Sequence, residues 1–120
     1  MWSDPLEEST GFRVNQRGAG TLFGIDVVAE FCHRNGVDLI ARSHQLAQEG
    51  YCYPFKGKTD RKDQEEKLVI VWSVPNYCYR MGNKATIMLL DDKLNKTFVE
   101  FFHDPIGSSI PLSKMTPYFL

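Results

Sequence analysis

Apolar positions first recur at helical spacing over residues 25–35. Val27, Val28, Phe31 and Cys32 form one stripe there. Asp26 sits where it can cap this helix or lie in its first turn, where the helix dipole favours a negative charge. Gly36 is suited to end it. Residues 37–41 are a short apolar run bounded by polar and turn residues, which predicts a buried strand. Helix, tight glycine turn and buried strand make up half of a parallel α/β unit. From residue 51 onward the pattern predicts a β-meander, with strands at 51–55, 68–74, 85–90 and 97–102. Residues 91–96 read as a turn. Residues 1–24 carry Gly11, Gly18, Gly20, Gly24 and Pro5 without a sustained period, which predicts a loop held against other elements. From Asp104 onward, Pro105, Pro111, Pro117 and two adjacent serines predict an extended, mobile tail. The expected class is α/β in the broad sense (α+β), with a folded part at 1–103 and a regulatory tail at 104–120.

The segment 56–67 separates two of the predicted strands and holds five positive and four negative side chains. A basic binding tail would be one-sided, so this segment reads as a solvated hairpin tip. The whole chain has the same balance. Fourteen Lys and Arg stand against fifteen Asp and Glu over 120 residues, a net charge of −1. No broad cationic face is available for nucleic acid. The longest strongly apolar run, residues 68–72, is too short to cross a bilayer. The N-terminal residues show no basic region followed by an apolar one, so no secretory signal is expected. Cys32, Cys52 and Cys78 are an odd number without C-x-x-C spacing. That disfavours a disulfide framework or zinc ribbon and suits reduced thiols in the cytoplasm or nucleus.

Three stretches could carry chemistry. His44 falls just beyond the predicted strand at 37–41, the edge where ligands gather in open α/β sheets. Its imidazole could bind a metal while Gln45 or a backbone carbonyl fixes the other nitrogen. Taken alone, a single histidine fits equally a loop hydrogen bond. His33 and His103 have no metal-ligand spacing to it. Arg17 stands in Gln-Arg-Gly-Ala-Gly, where glycines let the backbone approach an anion and a guanidinium can grip phosphate with two bonds. A surface arginine in a loop is the plain alternative. Residues 73–83 place two tyrosines, an arginine and two asparagines in a loop directly after a strand. Such a loop can overhang a site or simply pack.

These same stretches carry a resemblance. Trp-Ser-Asp-Pro at 2–5, Arg-Gly-Ala-Gly-x-Leu-Phe-Gly at 17–24 and Ala-Arg-Ser-His-Gln-Leu at 41–46 come first. Glu-Gly-Tyr at 49–51 and Val-Pro-Asn-Tyr-Cys-Tyr-Arg-x-Gly-Asn at 74–83 follow in register. Together they resemble the metal-dependent serine/threonine phosphoprotein phosphatases. The ending Thr-Pro-Tyr-Phe-Leu at 116–120 resembles the type 2A-like branch, nearest to type 6 or type 4. The resemblance implies the C-terminal portion of a calcineurin-like metallophosphoesterase β-sandwich flanked by helices. It also implies two divalent metals, manganese, iron or zinc, held in the complete enzyme mostly by Gly-Asp-x-His-Gly, Gly-Asp-x-Val-Asp-Arg-Gly and Gly-Asn-His-Glu motifs. This sequence contains none of the three.

By the resemblance, His44 matches the last metal-ligand histidine and Arg17 an arginine that binds substrate phosphate. Tyr77 matches the tyrosine of a loop that overhangs the active site. Leu120 matches a terminal leucine whose carboxylate is reversibly methylated, and Thr116 and Tyr118 match tail positions open to phosphorylation. Met81 stands where type 2A relatives usually have cysteine, and the tip at 56–67 is longer than usual. The implied activity is phosphomonoester hydrolysis on phosphoproteins by a two-metal-activated water. The implied partners are regulatory and scaffold subunits, with a carboxyl methyltransferase and methylesterase at the tail, in the cytoplasm or nucleus; nucleic acid and membrane are not expected. One imidazole cannot hold two hard cations against water. The isolated chain is therefore expected to be inactive and to expose an apolar face and a free strand edge. A non-catalytic phosphatase-like module binding regulatory subunits, and a small α/β ligand-binding domain, are the alternative readings.

Overall fold

The computed structural model describes residues 2–104. The strongest determinant is Leu68–Val71, β6, a continuous apolar run whose first three residues are all buried. A strand buried on both faces has to be central, and β6 is. It pairs in parallel with β4 (Ile40–Arg42) on one side and antiparallel with β5 (Tyr51–Cys52) on the other. A second sheet has β3 (Thr21–Phe23) between β1 (Asp4–Pro5), parallel to it, and β2 (Phe12–Val14), antiparallel. The third is the hairpin of β7 (Ala85–Leu90) and β8 (Lys96–Phe101). With one α-helix among the described residues, α1 (Ile25–Asn35), the fold is mixed α+β.

The helix bounds agree with the apolar stripe, and its partition is narrower than the stripe. Val28 and Cys32 are buried while Phe31 is 51% exposed. The chain leaves the helix through Gly36 in the left-handed region, φ 61°, whose N–H returns to the helix's last carbonyls. Asp26 lies in the first turn and does not cap the helix. Its two carboxylate oxygens each accept from the Gly11 N–H at 2.9 Å, tying the preceding loop to the helix.

Two expectations need correction. Residues 1–24 are not merely loop; they hold β1, β2 and β3. These strands are two or three residues long, too short for alternation to register as a period. The expected meander is split into two antiparallel pairs, β5–β6 and β7–β8, which lie in separate sheets, and β6 also pairs in parallel with β4. β7 spans its expected residues, β8 is offset by one, β5 and β6 are shorter than expected, and β4 is shifted to the end of its apolar run. The segment 56–67 folds as successive turns, with Lys56 paired to Glu66 at 3.2 Å and Lys58 to Glu7 at 3.6 Å. The expected tail boundary at 104 and the tail itself, from Pro105 on, lie outside the described residues.

Val28, Cys32, Ala47, Phe55, Leu68, Ile70 and Trp72 form the core, with Phe23, Ile25, Ile40, Cys52 and Tyr77 packed against it. Phe23 and Ile25 bring the first sheet and the helix onto the second sheet. The hairpin joins through Thr86, whose N–H donates to the Trp72 carbonyl at 2.8 Å, and through Phe98, stacked 4.0 Å from Tyr51. Ile87 and Val99 are cross-strand partners and both stand exposed, as do Leu89, Phe12 and Val14. The expected bare apolar surface is therefore present on the described residues. No helix among them is long and apolar enough to cross a membrane.

Burial should sort the phenylalanines by cost. Phe55 is 0% exposed, so Phe55→Ala should lower the stability by about 3–5 kcal/mol. Phe31→Ala, at a half-exposed site, should cost under about 1 kcal/mol. Urea unfolding of both variants checks this. The thiols make a second case. The three cysteines are free, and burial, then the Glu7 carboxylate, push the Cys52 thiol up. Less thiolate means slower alkylation, so Glu7→Gln should speed iodoacetamide labelling of Cys52 at pH 8. Peptide mass mapping over time reads the rate.

Candidate functional site

Four chain segments converge on one carboxylate. β1 supplies Asp4, the loop after β2 supplies Asn15 and Arg17, β4 ends on Arg42, and the bend after it carries His44. Asp4 is 4% exposed. A charge so far from water needs opposite charge and hydrogen bonds, and it has both. Its Oδ2 accepts from Asn15 Nδ2 at 3.1 Å and its Oδ1 from Arg42 Nη2 at 3.2 Å. Arg17 Nη1 lies 3.6 Å from Oδ2, and His44 Nε2 lies 4.0 Å from Oδ1.

The two arginines differ in kind. The Arg42 side chain is 13% exposed and has three acceptors: Asp4, the Ser3 carbonyl at 2.9 Å and Gln45 Oε1 at 2.6 Å. The Arg17 side chain is 55% exposed. Its backbone N–H donates to Asn15 Oδ1 at 3.0 Å, and its Nη1 is 3.1 Å from His44 Nε2. A guanidinium only donates, so a hydrogen bond here requires His44 Nε2 to accept, with the ring proton on Nδ1. Trp2 stands edge-on to the His44 ring, with centroids 4.9 Å apart. His44 has φ 82°, an uncommon backbone for a residue with a Cβ. Gly20, at φ 70°, makes the loop's approach possible. A Cβ there would lie 2.5 Å from the Trp2 carbonyl oxygen and 2.8 Å from the Ser3 nitrogen.

The structure thus brings Arg17 and His44 together. It assigns the nearby groups differently from expectation. Gln45 does not fix His44; it accepts from Arg42. The close approach allowed by the Arg17 glycines is, at Gly20, toward the backbone of residues 2–3. Tyr77 is half-buried, with its ring edge-on to Trp72 at 4.9 Å and its N–H bonded to Asn83 Oδ1 at 2.8 Å. Its loop is strongly bent, with positive φ at Asn76, Cys78 and Tyr79. His33 and His103 are exposed and take no part in the cluster. Leu120, Thr116 and Tyr118 lie outside the described residues. Sequence reasoning missed Asp4, Asn15 and Arg42. The available signal was a carboxylate in an apolar setting, Trp-Ser-Asp-Pro-Leu, and an arginine two residues before His44 at a strand end.

The metal pair implied by the resemblance can be tested against this donor set. It offers one imidazole, whose Nε2 already accepts from Arg17, and one carboxylate already held by two guanidinium groups and an amide. Among the described residues no group of three or more His, Cys, Asp or Glu side chains converges. These residues alone do not fit a pair of divalent ions.

The structure is similar to a solved protein serine/threonine phosphatase from Saccharomyces cerevisiae, itself described by its similarity to human phosphatase PP5. The match has a TM-score of 0.69 and 29% identity over 87% of this chain. The chain spans 33% of that phosphatase's length. No family model matches the sequence. The likeness supports the phosphatase class.

Stability should separate the roles within the cluster. Asp4→Ala strands a mostly buried guanidinium and should cost about 3–5 kcal/mol. Arg17→Ala removes a largely exposed partner and should cost under about 1 kcal/mol. Chemical denaturation of both variants at neutral pH measures the difference.

Proposed function

We propose that this chain is the C-terminal portion of a metal-dependent protein serine/threonine phosphatase catalytic domain, inactive by itself. The observation that carries the reading is Arg17. Its guanidinium is more than half exposed, held near a buried carboxylate and set 3.1 Å from His44, in a fold similar to a third of a solved phosphatase. A planar cation held this way suits a phosphoryl group, which it can meet with two parallel hydrogen bonds. The reaction class is phosphomonoester hydrolysis on phosphoproteins. Arg17 is the substrate-phosphate residue and Tyr77 belongs to the overhanging loop. His44 is this chain's contribution to the metal centre of the complete enzyme. The other ligands are not in this sequence, so no hydrolytic step is assigned to the chain alone.

The Thr-Pro-Tyr-Phe-Leu ending and the five motifs support the type 2A-like branch, type 6 or type 4. On that reading the folded part ends near residue 103, and 104–120 meets regulatory and scaffold subunits. Leu120 takes carboxyl methylation there, and Thr116 or Tyr118 takes phosphate. The compartment is the cytoplasm or nucleus.

The test is the native product, recovered from the source cells with an antibody to residues 104–120. It should run well above 13.8 kDa, the mass of this chain, and hydrolyse a phosphoserine peptide in a chelator-sensitive way. The recombinant 120-residue chain with manganese should show no turnover. Turnover by the recombinant chain, or a native band at 13.8 kDa without activity, overturns the reading. The second result would leave a non-catalytic module.

A further inference from the structure

We propose that Arg42 is the positioning residue for the Arg17–His44 pair, an inference that rests on reading Arg17 as the phosphate-binding group. Arg17 is tied through its backbone N–H to Asn15 Oδ1 at 3.0 Å, but its guanidinium is loosely held. It is more than half exposed, and its charge partner Asp4 lies 3.6 Å away, beyond hydrogen-bonding distance. Arg42 is different. One guanidinium reaches Ser3 and Asp4 around β1 and Gln45 in the bend that carries His44. β1 and β4 belong to different sheets and share no ladder. The Arg42 fork is therefore a bond between the strand that carries Asp4, the charge partner of Arg17, and the bend that presents His44.

It also moderates a competition. Asp4 Oδ1 is committed to Arg42 and Oδ2 to Asn15, which leaves Arg17 at ion-pair distance from Asp4 with Nη1 in reach of His44. Without Arg42 the carboxylate has lost its shortest charge partner. Arg17 would then close on Asp4 and withdraw from His44. Lysine cannot replace the fork, because one ammonium nitrogen cannot satisfy acceptors on both sides of a planar group.

Nuclear magnetic resonance on the 120-residue chain tests this without substrate, so absence of phosphatase activity does not bear on it. In the parent chain two contacts should be seen: the Trp2 and His44 rings, and Arg17 with His44 Nε2. Arg42→Lys keeps the charge and should lose both contacts while retaining a cooperative thermal transition. If that variant does not fold, Gln45→Leu removes one arm of the fork and should weaken the same contacts. Unchanged contacts in a folded variant, or their absence in the parent chain, overturn the proposal. Inorganic phosphate added to the parent chain probes the underlying reading separately. If it leaves the Arg17 signals unmoved, the phosphate role fails and the positioning result stands.

Discussion

A carboxylate taken out of water dictates the arrangement around it. Asp4 is nearly inaccessible, and an unpaired charge there would cost several kcal/mol. The chain resolves this by bringing in Arg42, Asn15 and Arg17 from segments far apart in sequence. Each requirement constrains a different element. The Arg42 fork joins β4 to β1, which belongs to the other sheet. Asn15 serves twice, its amide nitrogen on Asp4 and its amide oxygen on the Arg17 backbone. Gly20 has to lack a side chain for this loop to lie against residues 2–3. The apolar core holds the two sheets together, but the polar knot sets how they meet at the site.

What could be read from the sequence follows from the range of each interaction. The helix at 25–35 and the central strand β6 depend on local apolar patterns, and both were legible. The β7–β8 hairpin was legible for the same reason, since its partners are near in sequence. The first sheet was not. β1 pairs with β3 across a gap that holds β2 and the loop after it, and no strand of the three exceeds three residues. Pairings of that kind are fixed by tertiary contacts, which periodicity does not encode. The site divides in the same way. Arg17 and His44 stood out as residue types in turn-rich settings. Asp4 and Arg42 looked ordinary, because their importance is burial and mutual distance, which only the fold supplies.

The distribution of exposed apolar residues is consistent with a partial domain. Ile87, Val99 and Leu89 lie bare on the hairpin, and Phe12 and Val14 lie bare on β2. A small sheet packs one face inward and solvates the other with polar residues when it stands alone. Here part of the outward surface is aliphatic and aromatic. The chain spans a third of the solved phosphatase it is similar to.

The geometry at His44 carries one further consequence. An imidazole nitrogen has a single lone pair, and at Nε2 it is directed to Arg17 Nη1. The same Nη1 N–H cannot serve His44 and an incoming anion at once. Recruiting that N–H to a phosphate and freeing His44 Nε2 are therefore one rearrangement. On the proposed reading of Arg17 and Arg42, the buried fork beneath would keep Asp4 from capturing Arg17 when it lets go. A surface arginine with no such support would have the charge to bind phosphate but no fixed relation to the histidine beside it. The buried, charged cluster is thus better understood as a device for placing two side chains than as a source of stability, since a well-packed apolar cluster of equal volume would hold the sheets at least as firmly.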